Sequence, residues 1–365
     1  MTDNKKIRFL DLSVRNISER QDFLEALNSC LDHGQLVMGK EINNLEESLS
    51  NYVGRKKCIS VSSGTDAVYL SLRALGIGPG DEVITTPLSW IATTNAIYMV
   101  GATPVFCDIQ DDLNIDPETI QKVITSSTKA VISVDYTGNM ANYAALNSVI
   151  DLYGLKLIED GSQAFGASFN GKKCGSYGHI AAISHNPMKI FGGLGECGSV
   201  FTDDYEIAEK LNILRYNGMV NKEYLEYPSL NFRADALQAS FLVKRLKRLS
   251  SKLQRRKEIA QIYNDSLYRS CKVPTETPNS ERVFYTYTIQ TNKRDSLSRY
   301  LTDNGIENKI QHPLLMSEQK PYKDCKAYTP RATEIVKKII CLPMHESLEA
   351  EEIEYVIKKV KDHLE

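Results

Sequence analysis

Lys189 stands in the run Ser184–Ser199, SHNPMKIFGGLGECGS, and is followed by four glycines within seven residues, Gly192, Gly193, Gly195 and Gly198. A lysine in a dry pocket gives up its proton readily and can form a Schiff base; in water it stays a solvated cation. The spacing Gly193-x-Gly195-x-x-Gly198 matches a dinucleotide fingerprint, which needs a strand before it, a helix after it and an acidic residue about 20 positions on. Here the β-prone GSVFTDD follows, and Asn217, Gly218 and Met219 stand where the acid should be. The spacing therefore predicts glycines that let the backbone pass close to something bulky, not a nucleotide loop.

Three more groups could serve the same chemistry. Asp160 ends the strand-like run LKLIED, where a carboxylate could pair with a protonated heterocycle, bind a metal or cap the next helix. Ser62-Ser63-Gly64-Thr65 joins a strand-like run to a helical one; free N–H groups there suit a phosphate, and an ordinary N-cap has the same composition. Trp90, the single tryptophan, follows the run TTPLS and is either a platform for a planar ring or a packing residue. In chain order these are an anion cradle, a stacking aromatic, an acid and, about 30 residues later, an amine. That set matches the needs of pyridoxal 5'-phosphate: an anchor for its phosphate, a face for its ring, an acid for its pyridine nitrogen and an imine lysine.

The elements that must position these groups alternate between strand-like and helix-like periodicity from Lys57 to Thr202. CISVSS, DEVITTP, TPVFCDI, KAVISVDY and LKLIED read as strands; GTDAVYLSLRALG, IATTNAIYMVG, PETIQKVIT and ANYAALNSVIDLYG read as helices. This rhythm predicts an α/β fold, a largely parallel sheet with helices on both faces, whose ligands bind beyond the carboxyl ends of the strands. Function is therefore expected at Ser62–Thr65, Pro87–Trp90, Asp135–Asn139, Asp160–Gln163 and Ser184–Lys189. Residues 234–268 lack glycine and proline and read as one long helix. A smaller unit follows, with a strand VFYTYTIQ, a helix near 295–304 and a final helix whose Ile353, Val356, Ile357, Val360 and Leu364 share a face. The expected division is a large cofactor-binding domain over 1–246 and a small C-terminal α/β domain over 247–365.

The 365 residues carry a net charge of -2, which argues against nucleic-acid or anionic-membrane partners. No run approaches the ~20 apolar residues of a spanning helix, and MTDNKKIRFLDLS has no leader-like apolar region. The eight cysteines are scattered without C-x-x-C or zinc-site spacing, so reduced thiols in a cytoplasmic protein and no metal are expected.

The chain resembles the DegT-type sugar aminotransferases, fold type I pyridoxal phosphate enzymes. The likeness rests on IRFLDL, the long run from GKEINNLEESL through VSSGTDAVYLSLRALGIGPGDEVITTPLSWIATTNAI, LIEDGSQAFGASFNGKKCGSYG, SHNPMKIFGGLGECGSV and NFRADALQAS. It implies that Lys189 is the imine lysine, Asp160 the partner of the pyridine nitrogen and Gln163 the partner of the ring hydroxyl. Trp90 matches the stacking aromatic. Ser63, Gly64, Thr65 and Ser184 match the phosphate contacts, and Asn231 matches an asparagine that reaches the phosphate of the neighbouring subunit. The implied assembly is a homodimer with shared active sites. The implied reaction moves an amino group from an amino acid, L-glutamate by expectation, to a nucleotide-linked keto-sugar in surface-polysaccharide or glycoconjugate biosynthesis. Sugar dehydratases of this kind carry histidine in place of the imine lysine, and a cofactor-bound regulatory protein would need no such proton carrier; Lys189 favours transamination over both. Two departures stand out. The usual S-F-H-P-T-K reads Ser184-His185-Asn186-Pro187-Met188-Lys189, with His185 expected as a packing residue, and Cys197 replaces a common glycine. The segment KIQHPLLMSEQKPY, near the substrate in relatives, lacks the tyrosine often found before the H-x-x-P-like stretch.

Overall fold

The computed structural model describes residues 6–365, so the first five residues of the N-terminal stretch considered above lie outside the described residues. Seven strands form the central sheet: β1 Lys57–Val61, β2 Glu82–Thr85, β3 Thr103–Phe106, β4 Thr128–Val134, β5 Lys156–Asp160, β6 Ile180–Ser184 and β7 Gly198–Thr202. Their order is β1-β7-β6-β5-β4-β2-β3. β7 runs antiparallel to both its neighbours, and the other pairings are parallel.

The strands are apolar on both faces because helices cover both. Cys58, Ile84, Val131 and Leu157 enter one core, packed with residues of α2 (Lys40–Val53) and, further along the chain, helices Tyr143–Tyr153 and Ala236–Leu246. Ile59, Val83, Ile132 and Ile158 enter the other, under α3 (Gly64–Ala74), α4 (Ala92–Met99) and helix Tyr205–Arg215. The parallel strands β1, β2, β5 and β6 thus end on one edge, and β7 starts there.

The expected long helix is in fact two, Ala236–Leu246 and Leu249–Leu267, broken at Lys247–Arg248. The first packs on α2 and the N-terminal helix Ile17–His33, whereas Ile259, Tyr263 and Leu267 of the second enter a separate C-terminal core. A tightened turn, with Arg248 N–H donating to the Arg245 carbonyl at 2.9 Å, redirects the chain without glycine or proline. Arg248 is fixed at the bend by Asp22, 2.5 Å away. The expected helix at PETIQKVIT shortens to the single turn Pro117–Ile120. The expected strand over VFYTYTIQ shortens to Tyr287–Gln290, because the carbonyls of Phe284 and Tyr285 go to Arg256 instead of a strand partner. The final helix, Ala350–Leu364, buries Ile353, Val356 and Val360 as its periodicity predicts. No helix among the described residues is long and apolar enough to cross a membrane.

Arg256 also holds Glu346 at 2.5 Å. Burial alone would push the Glu346 carboxyl up, but the charges of Arg256 and Lys252 outweigh it and hold the group at about 2, against an ordinary 4.5. A carboxyl depressed in the folded state contributes stability above its ordinary value and loses it as pH falls through the folded one. Glu346→Gln is therefore expected to destabilise the protein at pH 7 by about 3 kcal/mol. The difference in melting temperature from wild type should shrink as pH falls from 4.5 toward 2. Thermal melts followed by circular dichroism check this; a difference that does not change with pH contradicts it.

Candidate active site

The ends of β1, β2, β5 and β6 open onto one cavity of about 310 Å³. Its floor is a junction too tight for side chains. A Cβ on Gly64 would lie 2.3 Å from the Ser184 Cβ, and one on Gly198 would lie 2.3 Å from the Ser63 carbonyl oxygen. The first turn of α3 is thereby drawn against the ends of β6 and β7. Ser63 caps that turn, its Oγ accepting from the Asp66 N–H at 3.1 Å. The early N–H groups of a helix lack intrahelical partners, and hydroxyls of Ser63, Thr65 and Ser184 line the same hollow. This cradle fits a phosphate.

Asp160 lies at the end of β5 and is buried, its Oδ2 accepting from the Thr93 hydroxyl of α4 at 2.9 Å and its Oδ1 from the Ser162 N–H at 3.3 Å. Gln163 is fixed from behind: its Oε1 accepts from the Thr137 N–H at 2.9 Å. Thr137 sits in the left-handed region, at φ 58°, and its hydroxyl accepts from buried Arg282. The segment Asp135–Asn139, expected to face the ligand, therefore does not line the cavity; it holds the residue that does. Beneath it Asp135, Glu159 and Cys174 converge in full burial. Burial, then the charge of Glu159, pushes the Asp135 carboxyl well up, and burial raises Glu159 too. Hydrogen bonds already engage them: Asp135 takes the Tyr143 hydroxyl, and Glu159 takes the N–H groups of Gly175 and Tyr177.

Lys189 lies in the connection from β6 to β7. Its Nζ sits 4.9 Å from the centre of the Tyr285 ring, and among the described residues it has no carboxylate at ion-pair distance. The glycines after it give close approach, as their spacing predicts. A Cβ on Gly192 would lie 2.5 Å from the Asn186 carbonyl oxygen. The loop is tied from outside by Arg245, which donates to the Gly192 and Gly193 carbonyls at 2.5 and 3.0 Å, and by Gln238, which accepts from the Leu194 N–H at 2.9 Å. Strand β7, not a helix, follows Gly198, so the dinucleotide geometry is absent. His185 is fully buried behind the loop, bonded to the Phe191 carbonyl and the Ser199 hydroxyl, and burial pulls it down to about 4. Cys197 is likewise buried, its thiol pushed up to about 12 by burial.

Of the sequence-based candidates, the fold brings Ser63, Gly64, Thr65, Trp90, Asp160, Gln163, Ser184 and Lys189 to this cavity. Trp90 lines it while remaining largely exposed. Asn231 does not line it; its Oδ1 accepts from the Arg233 Nε at 2.8 Å on the surface. Sequence reasoning missed Thr93 and Glu196, and also Tyr285, Gln311, His312 and Lys309, which the C-terminal part of the chain contributes. An anion cradle, an exposed aromatic face, a buried carboxylate and an amine in one hollow fit pyridoxal phosphate as a donor set.

Known proteins resemble this chain over nearly its whole length. The UDP-2-acetamido-2-deoxy-3-oxo-D-glucuronate aminotransferase of Pseudomonas aeruginosa is 33% identical over 96% of this chain and 98% of its own. The dTDP-3-amino-3,6-dideoxy-alpha-D-galactopyranose transaminase of Aneurinibacillus thermoaerophilus is 36% identical over 97% of this chain and 98% of its own. The crystal structure of DesV from S. venezuelae, in complex with a ketimine intermediate, superposes with a TM-score of 0.96 at 33% identity over 99% of both chains. The sequence profile of the DegT/DnrJ/EryC1/StrS aminotransferase family matches residues 17–361, and the chain belongs to that family.

Proposed function

We propose that this protein is a pyridoxal-phosphate-dependent aminotransferase that moves an amino group from an amino acid, with L-glutamate the expected donor, to a nucleotide-linked keto-sugar. The observation that carries this reading is one cavity holding the Lys189 amine, the buried Asp160 carboxylate and the Gly64–Ser184 cradle. Relatives that act on UDP- and dTDP-linked sugars support the substrate class. Polysaccharide or glycoconjugate synthesis in the cytoplasm is the proposed setting.

Bound pyridoxal phosphate supplies the electron sink that stabilises negative charge on the substrate carbon. Ser63, Gly64, Thr65 and Ser184 would hold its phosphate, Trp90 would offer a face to its ring, and Gln163 would meet its hydroxyl. Asp160, oriented by Thr93, would keep the ring nitrogen protonated. Lys189 Nζ takes the α-proton of the amino donor and later delivers a proton to the carbon of the sugar that receives nitrogen. The Tyr285 ring lies beside the lysine, 4.9 Å from its Nζ.

We further propose a homodimer in which Asn231 of one copy completes the cradle of the other, with the domain division near residue 247. The placement of Asn231 outside its own chain's cavity supports the first, and the helix break at Lys247–Arg248 supports the second.

With glutamate alone, the loaded protein is expected to release one 2-oxoglutarate per site, and a UDP- or dTDP-linked keto-sugar added next should leave as the amino-sugar, seen by mass spectrometry. Lys189→Ala should keep the cofactor and lose roughly 10³-fold or more in turnover. Loss of a hydroxyl from the sugar with no amino transfer would make the protein a dehydratase instead. For the shared site, mixing inactive Lys189→Ala and Asn231→Ala subunits should restore part of the activity through heterodimers with one intact site. Full activity of an isolated monomer rules that arrangement out.

A further inference from the structure

Gln163 carries a donor that nothing in the chain uses. Its Oε1 accepts from the Thr137 N–H at 2.9 Å, and an N–H can meet only the oxygen of that amide. The orientation of the side chain is thereby decided, with Nε2 turned the other way. Gln163 lines the cavity, and among the described residues its Nε2 makes no hydrogen bond. Thr137, which holds the amide, must itself be held. It is β-branched, fully buried and in the left-handed region at φ 58°, where such residues are rare. Three contacts keep its turn in place. The Tyr136 N–H donates to the Asn114 Oδ1 at 2.9 Å, Gly138 packs against the Tyr285 backbone, and Arg282 Nη2 donates to the Thr137 hydroxyl. Arg282 is only 2% exposed. Its Nη1 donates to the Thr275 carbonyl at 3.3 Å, its Nε has no partner, and among the described residues it forms no ion pair. Burial lowers it to about 10, so it is still a cation at pH 7. A buried cation without a carboxylate partner is costly to keep, and this one is aimed at Thr137.

We infer that Arg282 is a positioning residue for the reaction: through Thr137 it fixes the Gln163 side chain, so that the Gln163 amide N–H meets an oxyanion on the cofactor ring. The inference rests on the pyridoxal phosphate reading, in which the ring hydroxyl faces Gln163. Nε2 can only donate, so the oxygen it meets is an acceptor and carries the charge. Once the Lys189 nitrogen is joined to the cofactor, that oxygen also holds the proton on it. A donor that stabilises the oxyanion loosens this hold. The pH at which the bound cofactor changes its absorbance therefore reads the Gln163 donor, and through it the turn that Arg282 secures.

The test is a spectrophotometric pH titration of the protein loaded with pyridoxal phosphate. Arg282→Met is expected to raise the apparent pKa of the cofactor absorbance by about one unit, the size of one hydrogen bond to a charged group. Arg282→Lys, which restores a charged donor, should reverse most of that rise. Thr137→Val keeps the shape of the side chain, loses the hydroxyl and should give the same rise, so the test stands even where Arg282→Met does not fold. Gln163→Leu sets the full effect. Adding Arg282→Met to Gln163→Leu should shift nothing further, because the arginine acts through that amide. The other titratable groups at the cavity, Asp160, Lys189, Glu196, Tyr285, Lys309 and His312, are the same in every variant. An unmoved or lowered pKa in Arg282→Met and Thr137→Val overturns the inference. So does an equal shift in the Gln163→Leu background, which would make Arg282 a distant charge only, and so does a Gln163→Leu protein that titrates like wild type. A wild type that takes up no cofactor sinks the pyridoxal phosphate reading and the inference with it, whereas bound cofactor with an unmoved titration sinks the inference alone.

Discussion

The site depends on a contact that only glycine permits. The first turn of α3 meets the end of β6 so closely that a Cβ at residue 64 would overlap Ser184, and β7 starts against Ser63 with equal tightness through Gly198. Three strand ends and one helix N-terminus therefore converge on a hollow lined with hydroxyls. Because β7 is antiparallel, the chain that reaches the hollow at the end of β6 must begin β7 at that same edge, at Gly198. Lys189 lies on that connection, so the closure of the sheet itself places the amine beside the cradle. Asp160 ends the strand next to β6, which sets acid, amine and anion site around one space.

The rest of the molecule holds this arrangement from behind and closes it from above. Arg245 and Gln238 grip the lysine loop by its backbone. Thr137 grips Gln163, and the turn that carries Thr137 passes so near Tyr285 that a Cβ at Gly138 would stand 2.6 Å from the Tyr285 N–H nitrogen. Tyr285 in turn is positioned by Arg256, which also holds the Phe284 carbonyl and Glu346. The ring beside Lys189 is thus coupled through a few buried polar contacts to the C-terminal core.

What the sequence made legible follows from how local each signal is. Apolar runs of strand length separated by helical periodicity identify the sheet, and function at the strand ends follows from topology. Lys189 and Asp160 could be singled out because their neighbours are unusual. Thr93, Tyr285 and Lys309 carry no such mark: they reach the cavity only through tertiary packing, two of them from beyond residue 280. The break at Lys247–Arg248 was illegible for a similar reason, since the residues there favour helix and the bend is fixed by a contact distant in sequence, Arg248 with Asp22. His185, suggestive as a residue type, proved to be a satisfied core histidine.

The central claim is that the amine of Lys189, and no other, carries the cofactor. Borohydride reduction of the protein loaded with pyridoxal phosphate, followed by proteolysis and mass spectrometry, tests it directly. The account predicts a single modified peptide containing Lys189. A modified Lys309, or label spread over surface lysines with Lys189 unmodified, would contradict it.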